Sequence, residues 1–247
     1  MKPALPPAFL DALRQLDSCA VSNAIERFKL RLRNEGVADA TIRCCFPHFS
    51  PMVGYAVTAR IRCSNPPPAS ESYIDRTDWW EEIQQIPAPR VFVIQDIDER
   101  PGLGAILGEV HASILKALGC TGAITNGAVR DLPAIEAARF HLFAGNVAVS
   151  HAYAHFVDFG GKVEIGGVKI QPGDLLHGDR HGFLLVPHSI AADVPALAAK
   201  MKEQEHRIIA LCHSPGFSPA KLREAVEGYL SVATETQETQ TRNHDES

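Results

Sequence analysis

The stretch from Gly104 to Asp131 places the strongest constraint on the fold of this chain. Gly108 to His111 begins a run with apolar residues at helical spacing, and Gly119 is a suitable stop signal. The short apolar segment Ala123-Ile124-Thr125 is long enough only for a buried strand, and Asn126-Gly127 predicts a turn that ends it. A helix followed by a short buried strand is typical of an α/β protein.

Both parts of this stretch carry residues suited to chemistry. Arg130-Asp131 follows the strand, and the carboxyl edge of a sheet is where α/β proteins bind ligands. An arginine fork matches a carboxylate or an enolate oxygen, and an aspartate is a hard oxygen ligand suited to Mg²⁺ or Mn²⁺. The free N–H groups of a helix that starts near Gly108 can hold an anion. The alternatives are an exposed Arg130-Asp131 ion pair at a turn, and a Glu109 that only complements the helix dipole.

Composition and charge restrict the class of protein. A chain of 247 residues can form one large domain or two small ones, and the even spread of apolar residues favours one. A net charge of −5 gives no basic surface for non-specific nucleic-acid binding. No apolar run approaches the length of about 18 residues expected of a membrane span, and the N-terminus lacks a signal-peptide core. We therefore expect a cytoplasmic protein without nucleic-acid or membrane partners.

The rest of the chain alternates between predicted strands and helices. The predicted elements are two helices within Phe9–Phe28, the second capped by Asp17 or Ser18; strands at Val53–Ile61 and Arg90–Ile97; a helix at Pro133–Ala138; a strand at Phe140–Ser150; short strands within Lys162–Leu185; and a helix at Ser189–His213, interrupted near Pro195.

Two segments stand apart from this alternation. Tyr73 to Gln85 is polar and aromatic and contains both tryptophans, Trp79 and Trp80. The pair either packs a helix onto the sheet or lines a subunit contact or the mouth of a pocket. Thr234 to Ser247 lacks any apolar residue, so we expect a folded domain at residues 1–232 and a disordered tail at 233–247.

Several blocks of residues, taken in order, resemble the RraA-like family. The matching blocks are Gly108-Glu109, Gly119, Gly122, Asn126-Gly127, Arg130-Asp131, Ile165-Gly166-Gly167-Val168, Pro172-Gly173-Asp174 and Gly178-Asp179 with Gly182. The family contains 4-hydroxy-4-methyl-2-oxoglutarate (class II) aldolases and the regulator of ribonuclease activity A. The resemblance extends from about Leu16 to Glu205. It implies an α/β fold, a single compact domain with a mixed sheet and flanking helices of the swivelling β/β/α type, assembled as a homotrimer or homohexamer.

The resemblance also implies roles for individual residues. Asp131 would hold a divalent cation, Mg²⁺ or Mn²⁺, and Arg130 would contact a 2-keto acid substrate. The segment Gly108-Glu109-Val110-His111 would bind the pyruvyl carboxylate through its backbone N–H groups, and Glu109 would order a water. A further glutamate from a neighbouring subunit is expected in such aldolases, and Glu203 or Glu205 could supply it.

The function implied is that of a metal-dependent class II pyruvate aldolase with an oxaloacetate decarboxylase side activity. The alternative is a non-catalytic protein that binds and regulates a ribonuclease. The chain departs from the family pattern at Asn23, Asn126 and His181, where acidic residues are usual. Two histidine pairs invite a metal interpretation, but we expect His151 and His155 to lie in a surface loop, and His177 and His181 to flank a tight turn between strands.

Overall fold

A computed structural model describes residues 4–68 and 78–229 of the chain. The helices are α1 (Pro7–Arg14), α2 (Ser18–Arg27), α3 (Asp78–Gln85), α4 (Glu109–Ala117), α5 (Leu132–Ala137), α6 (Val194–Cys212) and α7 (219–229). The strands are β1 (Arg43–Cys44), β2 (Met52–Arg62), β3 (Arg90–Asp96), β4 (Ala105–Leu107), β5 (Cys120–Val129), β6 (His141–Val147), β7 (His155–Phe159), β8 (Val163–Ile165), β9 (Val168–Ile170), β10 (Leu175–Asp179) and β11 (Gly182–Val186).

One mixed sheet forms the centre of the molecule. Its strand order is β1-β6-β5-β3-β2-β10-β11, with β4 paired to β5 and β7 paired to β2. Strands β2, β3, β5 and β6 run parallel to one another, whereas β1, β7, β10 and β11 pair antiparallel with their partners. The carboxyl ends of the four parallel strands therefore meet at one edge of the sheet.

Apolar residues on both faces of the sheet produce a three-layer domain. Alternate β2 residues such as Tyr55 and Val57 join the larger core, which the flanking helices cover. Met52 and Ala56 point to the other face and pack with the β8–β9 hairpin in a second core. The domain thus has a hairpin layer, a main sheet and a helical layer, which confirms the predicted fold class.

The N-terminal helices begin where the sequence predicts. The Asp17 carboxylate caps α2 by accepting a hydrogen bond of 2.8 Å from the backbone N–H of Ala20. The prediction of an interrupted helix near Pro195 was wrong, because α6 begins at Val194 and Pro195 lies in its first turn. A proline is tolerated there because the first N–H groups of a helix have no partner within the helix.

The tryptophan pair divides between the core and the surface. Trp79 is buried, with its ring centroid 5.4 Å from that of Phe92 and 4.9 Å from that of Phe156. Trp80 is 38 % exposed. Trp79 therefore packs α3 onto the sheet, as the first of the two interpretations predicts.

The prediction of a turn at Asn126-Gly127 was wrong, because β5 continues through both residues to Val129. The pairing of β5 with β3 ends at Thr125, and its pairing with β4 begins at Ala128. Between these points the Asn126 side chain takes the place of a neighbouring strand: its Oδ1 accepts from the Asp96 N–H at 2.7 Å and its Nδ2 donates to the Asp96 carbonyl at 2.9 Å. This irregularity lets one strand serve two successive partners.

His177 and His181 flank the hairpin between β10 and β11, as predicted. His177 is buried, and its Nδ1 lies 3.0 Å from Ser18 Oγ while its Nε2 lies 3.1 Å from the Leu13 carbonyl oxygen. His181 contacts the Asp179 carboxylate at 3.0 Å. The contact between His177 and Ser18 links the start of α2 to the β10–β11 hairpin.

The segment that contains Tyr73, and the predicted tail at 233–247, lie outside the described residues. Across residues 4–68 and 78–229, no helix combines the length and the apolar character that crossing a membrane requires.

Candidate functional site

The register of two parallel strands brings the ends of the Gly104–Asp131 stretch together. Strand β4 pairs with β5 so that Leu107 lies opposite Val129, and the Arg130 N–H donates to the Leu107 carbonyl at 3.0 Å. The next residue of each strand therefore lies beside the other: Gly108 at the start of α4, and Arg130 at the end of β5. The three-residue strand β4 makes this pairing possible. Neither the helical spacing after Gly108 nor the apolar run before Asn126 predicts that strand.

Gly108 and Asp131 approach each other closely at this point. The Glu109 N–H donates to Asp131 Oδ2 at 3.1 Å, so the carboxylate interacts with the first turn of α4. A β-carbon at Gly108 would lie only 2.5 Å from that same oxygen. Asp131 has a left-handed backbone (φ +56°), which turns its side chain back toward α4.

Arg130 extends across the same surface. Its Nε lies 3.5 Å from Asp131 Oδ2 but is buried without a hydrogen-bond partner among the described residues. Its Nη1 donates to the Val149 carbonyl at 3.4 Å and lies 3.3 Å from His151 Nδ1. A buried guanidinium N–H without an acceptor is suited to an anionic ligand, because such a group is costly to leave unsatisfied.

The site has the donor chemistry of a magnesium or manganese site. Asp131 is 40 % exposed, and no donor among the described residues is assigned to its Oδ1. Glu109, beside it, is also exposed. Mg²⁺ is commonly held by one or two carboxylates with water in the remaining positions, so these residues fit such an ion.

The other predicted residues of the α4 turn differ in environment. Val110 is 69 % exposed, whereas burial, together with the nearby charge of Arg130, lowers the pKa of His111 to about 4. His111 is therefore neutral at pH 7. The structure brings together all the predicted site residues: Gly108, Glu109, Val110, His111, Arg130 and Asp131.

Sequence reasoning missed His151 as a site residue. It lies in the predicted loop, but its ring contacts Arg130. The prediction of a surface loop was wrong for His155, which is buried at the start of β7. Nothing in the spacing of the sequence links His151 to Arg130, because the contact depends on where the loop after β6 crosses the end of β5.

A second group of possible ligands lies where the neighbouring strands β2 and β3 end. One ligand atom each from Cys63, Asp96 and Asp98 lies within 4.8 Å of the others, a spacing that could hold a metal ion. The Asp98 carboxylate already accepts from the N–H groups of Cys63 and Ser64 and from Ser64 Oγ. Burial also raises the pKa of the Cys63 thiol to about 12. These contacts favour a structural brace.

The two candidate C-terminal glutamates have partners of their own. Glu203 forms an ion pair with Arg207, and Glu205 accepts a hydrogen bond of 3.3 Å from Tyr229 Oη. Any role for either in a neighbouring site stays a prediction.

Comparisons with known proteins place this chain in a family. A sequence model described as RraA-like, Aldolase/RraA, matches residues 18–185. The chain belongs to the RraA-like family. Two solved structures have the same fold as this RraA-like chain. One is an uncharacterized protein from Pseudomonas syringae pv. tomato, with 23 % identity, a TM-score of 0.71 and coverage of 93 % of this chain and 97 % of the other.

The second structure is Streptomyces coelicolor RraAS2, described as an unusual member of the RNase ES inhibitor RraA protein family. It has 18 % identity, a TM-score of 0.65 and coverage of 83 % of this chain and 98 % of the other. A curated relative, a putative 4-hydroxy-4-methyl-2-oxoglutarate aldolase from Halalkalibacterium halodurans, is 30 % identical over 102 residues. That match spans 41 % of this RraA-like chain and about half (49 %) of the relative.

Proposed function

We propose that this protein is a divalent-metal-dependent class II pyruvate aldolase. It would cleave a 4-hydroxy-2-oxo acid of the 4-hydroxy-4-methyl-2-oxoglutarate type to pyruvate and would also decarboxylate oxaloacetate. The observation that carries the proposal is the convergence of Asp131, Arg130 and the start of α4 at one sheet edge, with the Arg130 Nε–H left without an acceptor among the described residues. The partial similarity to a putative aldolase supports the same class.

Asp131 would hold the Mg²⁺ or Mn²⁺ ion, which supplies Lewis-acid stabilisation of negative charge on a 2-oxo acid when bound. The backbone N–H groups at the start of α4 would receive the substrate carboxylate, because they point out of the helix and carry its positive dipole end. Arg130 would donate to the oxygen that becomes anionic as the carbon–carbon bond breaks. This interaction strengthens as the pyruvate enolate forms, so it lowers the barrier.

Glu109 would act on water. Its exposed carboxylate lies beside the Asp131 contact, where it could orient a water that takes the proton from the 4-hydroxyl group. A water would return a proton to the enolate. Lys116 donates to the Ala138 carbonyl, away from this chemistry, so no Schiff base is included in the proposal.

The proposed assembly is a homotrimer or homohexamer with sites between subunits. In that assembly Glu203 or Glu205 of a neighbouring copy would approach Asp131. Sedimentation at several protein concentrations, followed by Glu203→Gln and Glu205→Gln, tests this part separately.

The deciding experiment measures pyruvate release from oxaloacetate and from 4-hydroxy-4-methyl-2-oxoglutarate with Mg²⁺, with Mn²⁺ and with EDTA. Release that requires metal and is lost in Arg130→Ala supports the aldolase. Arg139→Ala is the matched control, because Arg139 rests on the Phe49 ring, 4.4 Å from its centroid, and has no contact with Asp131. Absence of release under every condition refutes the proposal and leaves the alternative, a non-catalytic regulator of a ribonuclease.

A further inference from the structure

His151 is held in place by its backbone. The Ala105 N–H donates to the Ser150 carbonyl at 2.9 Å, and the Tyr153 N–H donates to the Cys63 carbonyl at 3.1 Å. A β-carbon at Gly104 would lie 2.3 Å from the His151 carbonyl oxygen, so only glycine permits the loop to cross here. The loop is thus fastened on both sides of His151, although the side chain itself is exposed.

The contact with Arg130 determines which nitrogen of His151 carries the proton. Arginine is only a donor, so at 3.3 Å from Arg130 Nη1 the His151 Nδ1 must be the acceptor. A neutral imidazole whose Nδ1 accepts has its proton on Nε2. Nε2 faces away from Arg130, and no acceptor for it is assigned among the residues 4–68 and 78–229. The structure therefore presents an N–H donor next to the arginine.

The position of this N–H donor indicates that it would contact the far end of a bound 2-oxo acid. Arg130 uses Nε toward Asp131 and a different nitrogen, Nη1, toward His151. A 2-oxo acid whose carboxylate lies at the start of α4 and whose oxo oxygen lies at Arg130 would have its remaining carbons free to extend toward His151, which lies 3.3 Å from Nη1 of that arginine.

We propose that His151 is a specificity-determining residue that donates its Nε2–H to the distal carboxylate of a dicarboxylic 2-oxo acid. The inference rests on the proposed function and adds the residue that would recognise the distal carboxylate shared by its dicarboxylic substrates. A charge-assisted hydrogen bond at an exposed site favours the diacid by about tenfold in affinity.

The test uses two non-cleavable ligands that differ only at the far end. 2-Oxoglutarate has a distal carboxylate, and 2-oxopentanoate has a methyl group in its place. Dissociation constants with Mg²⁺ at one fixed pH are measured by calorimetry for the wild type and two variants. In His151→Asn the amide occupies the position of Nδ1, so it can accept from Arg130 but cannot reach the substrate. In His151→Gln the amide extends to the position of Nε2.

We expect the wild type to bind 2-oxoglutarate about tenfold more tightly than 2-oxopentanoate. His151→Asn should bring this ratio close to one and leave the affinity for 2-oxopentanoate within about twofold, whereas His151→Gln should restore part of the preference. An unchanged ratio in His151→Asn overturns the inference. So does an equal loss for both ligands, which would mean that His151 only positions Arg130.

Failure of the inference and failure of the proposed function give different results. A wild type that prefers 2-oxoglutarate through His151 but releases no pyruvate would refute the aldolase and keep the specificity assignment. A wild type that cleaves 4-hydroxy-4-methyl-2-oxoglutarate, with an unchanged ligand ratio in His151→Asn, would support the aldolase and overturn the specificity assignment. No detectable binding of 2-oxoglutarate to the wild type also overturns the inference.

Discussion

Replacement of Gly108 by alanine tests the geometry of the proposed metal site most directly. The added β-carbon would lie 2.5 Å from Asp131 Oδ2, and ordinary van der Waals contact begins at 3.4 Å, so the carboxylate oxygen must move by about 0.9 Å. The Gly108 backbone (φ −132°, ψ −166°) is extended and acceptable to alanine, so the substitution adds no backbone strain. The perturbation therefore falls mainly on the Asp131 side chain, with smaller contacts at 3.2 Å to Cγ and 3.3 Å to Nε of Arg130.

The expected loss of activity follows from that displacement. A misplacement of 1 Å at a reacting centre costs up to about 100-fold in rate. The moved carboxylate also loses the hydrogen bond from the Glu109 N–H, and loss of such a supporting contact costs about 10–100-fold in metal affinity. We expect Gly108→Ala to lower kcat/KM for oxaloacetate by about 100-fold, with weaker Mn²⁺ binding.

The assay is metal-dependent pyruvate release, with Mn²⁺ titrated by electron paramagnetic resonance and folding followed by urea denaturation. Gly161→Ala is the matched control, because a β-carbon there meets nothing within 4 Å. The free energy of unfolding of Gly108→Ala should change by less than about 1 kcal/mol, since a flexible side chain absorbs the clash. Wild-type activity and Mn²⁺ affinity in Gly108→Ala would refute the placement of the metal at Asp131.

Three further predictions concern charge, pH and packing. Asp131→Asn should lower turnover by about 100-fold or more and abolish Mn²⁺ binding, while asparagine tolerates the left-handed backbone, so stability is kept. Burial lowers the pKa values of His111 and His141 to about 4 each. The unfolded chain binds more protons between about pH 4 and 6.5, so stability should fall as pH drops through this window, by up to about 3 kcal/mol per histidine. Trp79→Ala should cost about 3–5 kcal/mol and Trp80→Ala less than about 1 kcal/mol.

Each of these predictions has a result that contradicts it. Metal-dependent turnover in Asp131→Asn would remove that residue from the site. Urea denaturation at several pH values should show a shallower pH dependence in His141→Gln than in the wild type, and an unchanged slope would contradict the assigned cause. Equal unfolding free energies for the two tryptophan variants would contradict the packing of α3 on β3 and β7.

Much of the candidate site could be predicted because its residues lie in local patterns. The start of α4 can be predicted from Gly108 and the helical spacing of the apolar residues after it. Arg130-Asp131 comes directly after a strand whose apolar run is visible in the sequence. The sequence predicted that Trp79 either packs a helix onto the sheet or lines a subunit contact or pocket mouth. Only its contacts with Phe92 and Phe156 decide between these alternatives. Periodicity shows which residues are buried, and it does not show what they are buried against.

The error at Asn126-Gly127 arose where a side chain replaced regular backbone pairing. Asn126-Gly127 has the composition of a turn, yet the Asn126 amide pairs with the Asp96 backbone and keeps β5 extended. Turn propensity is a property of a few neighbouring residues, and a hydrogen bond to a residue of another strand overrides it.

The sequence by itself indicated the fold class, the positions of the core strands along the chain and the residues proposed to bind an anion and a divalent cation. Only the tertiary structure decided that Leu107 pairs with Val129, that Gly108 leaves room for the Asp131 carboxylate and that His151 lies against Arg130. The physical reason is that composition and periodicity act within about one helix or strand. Contacts such as that between Arg130 and His151 depend on strand register and loop crossing, which are fixed by packing across the whole sheet.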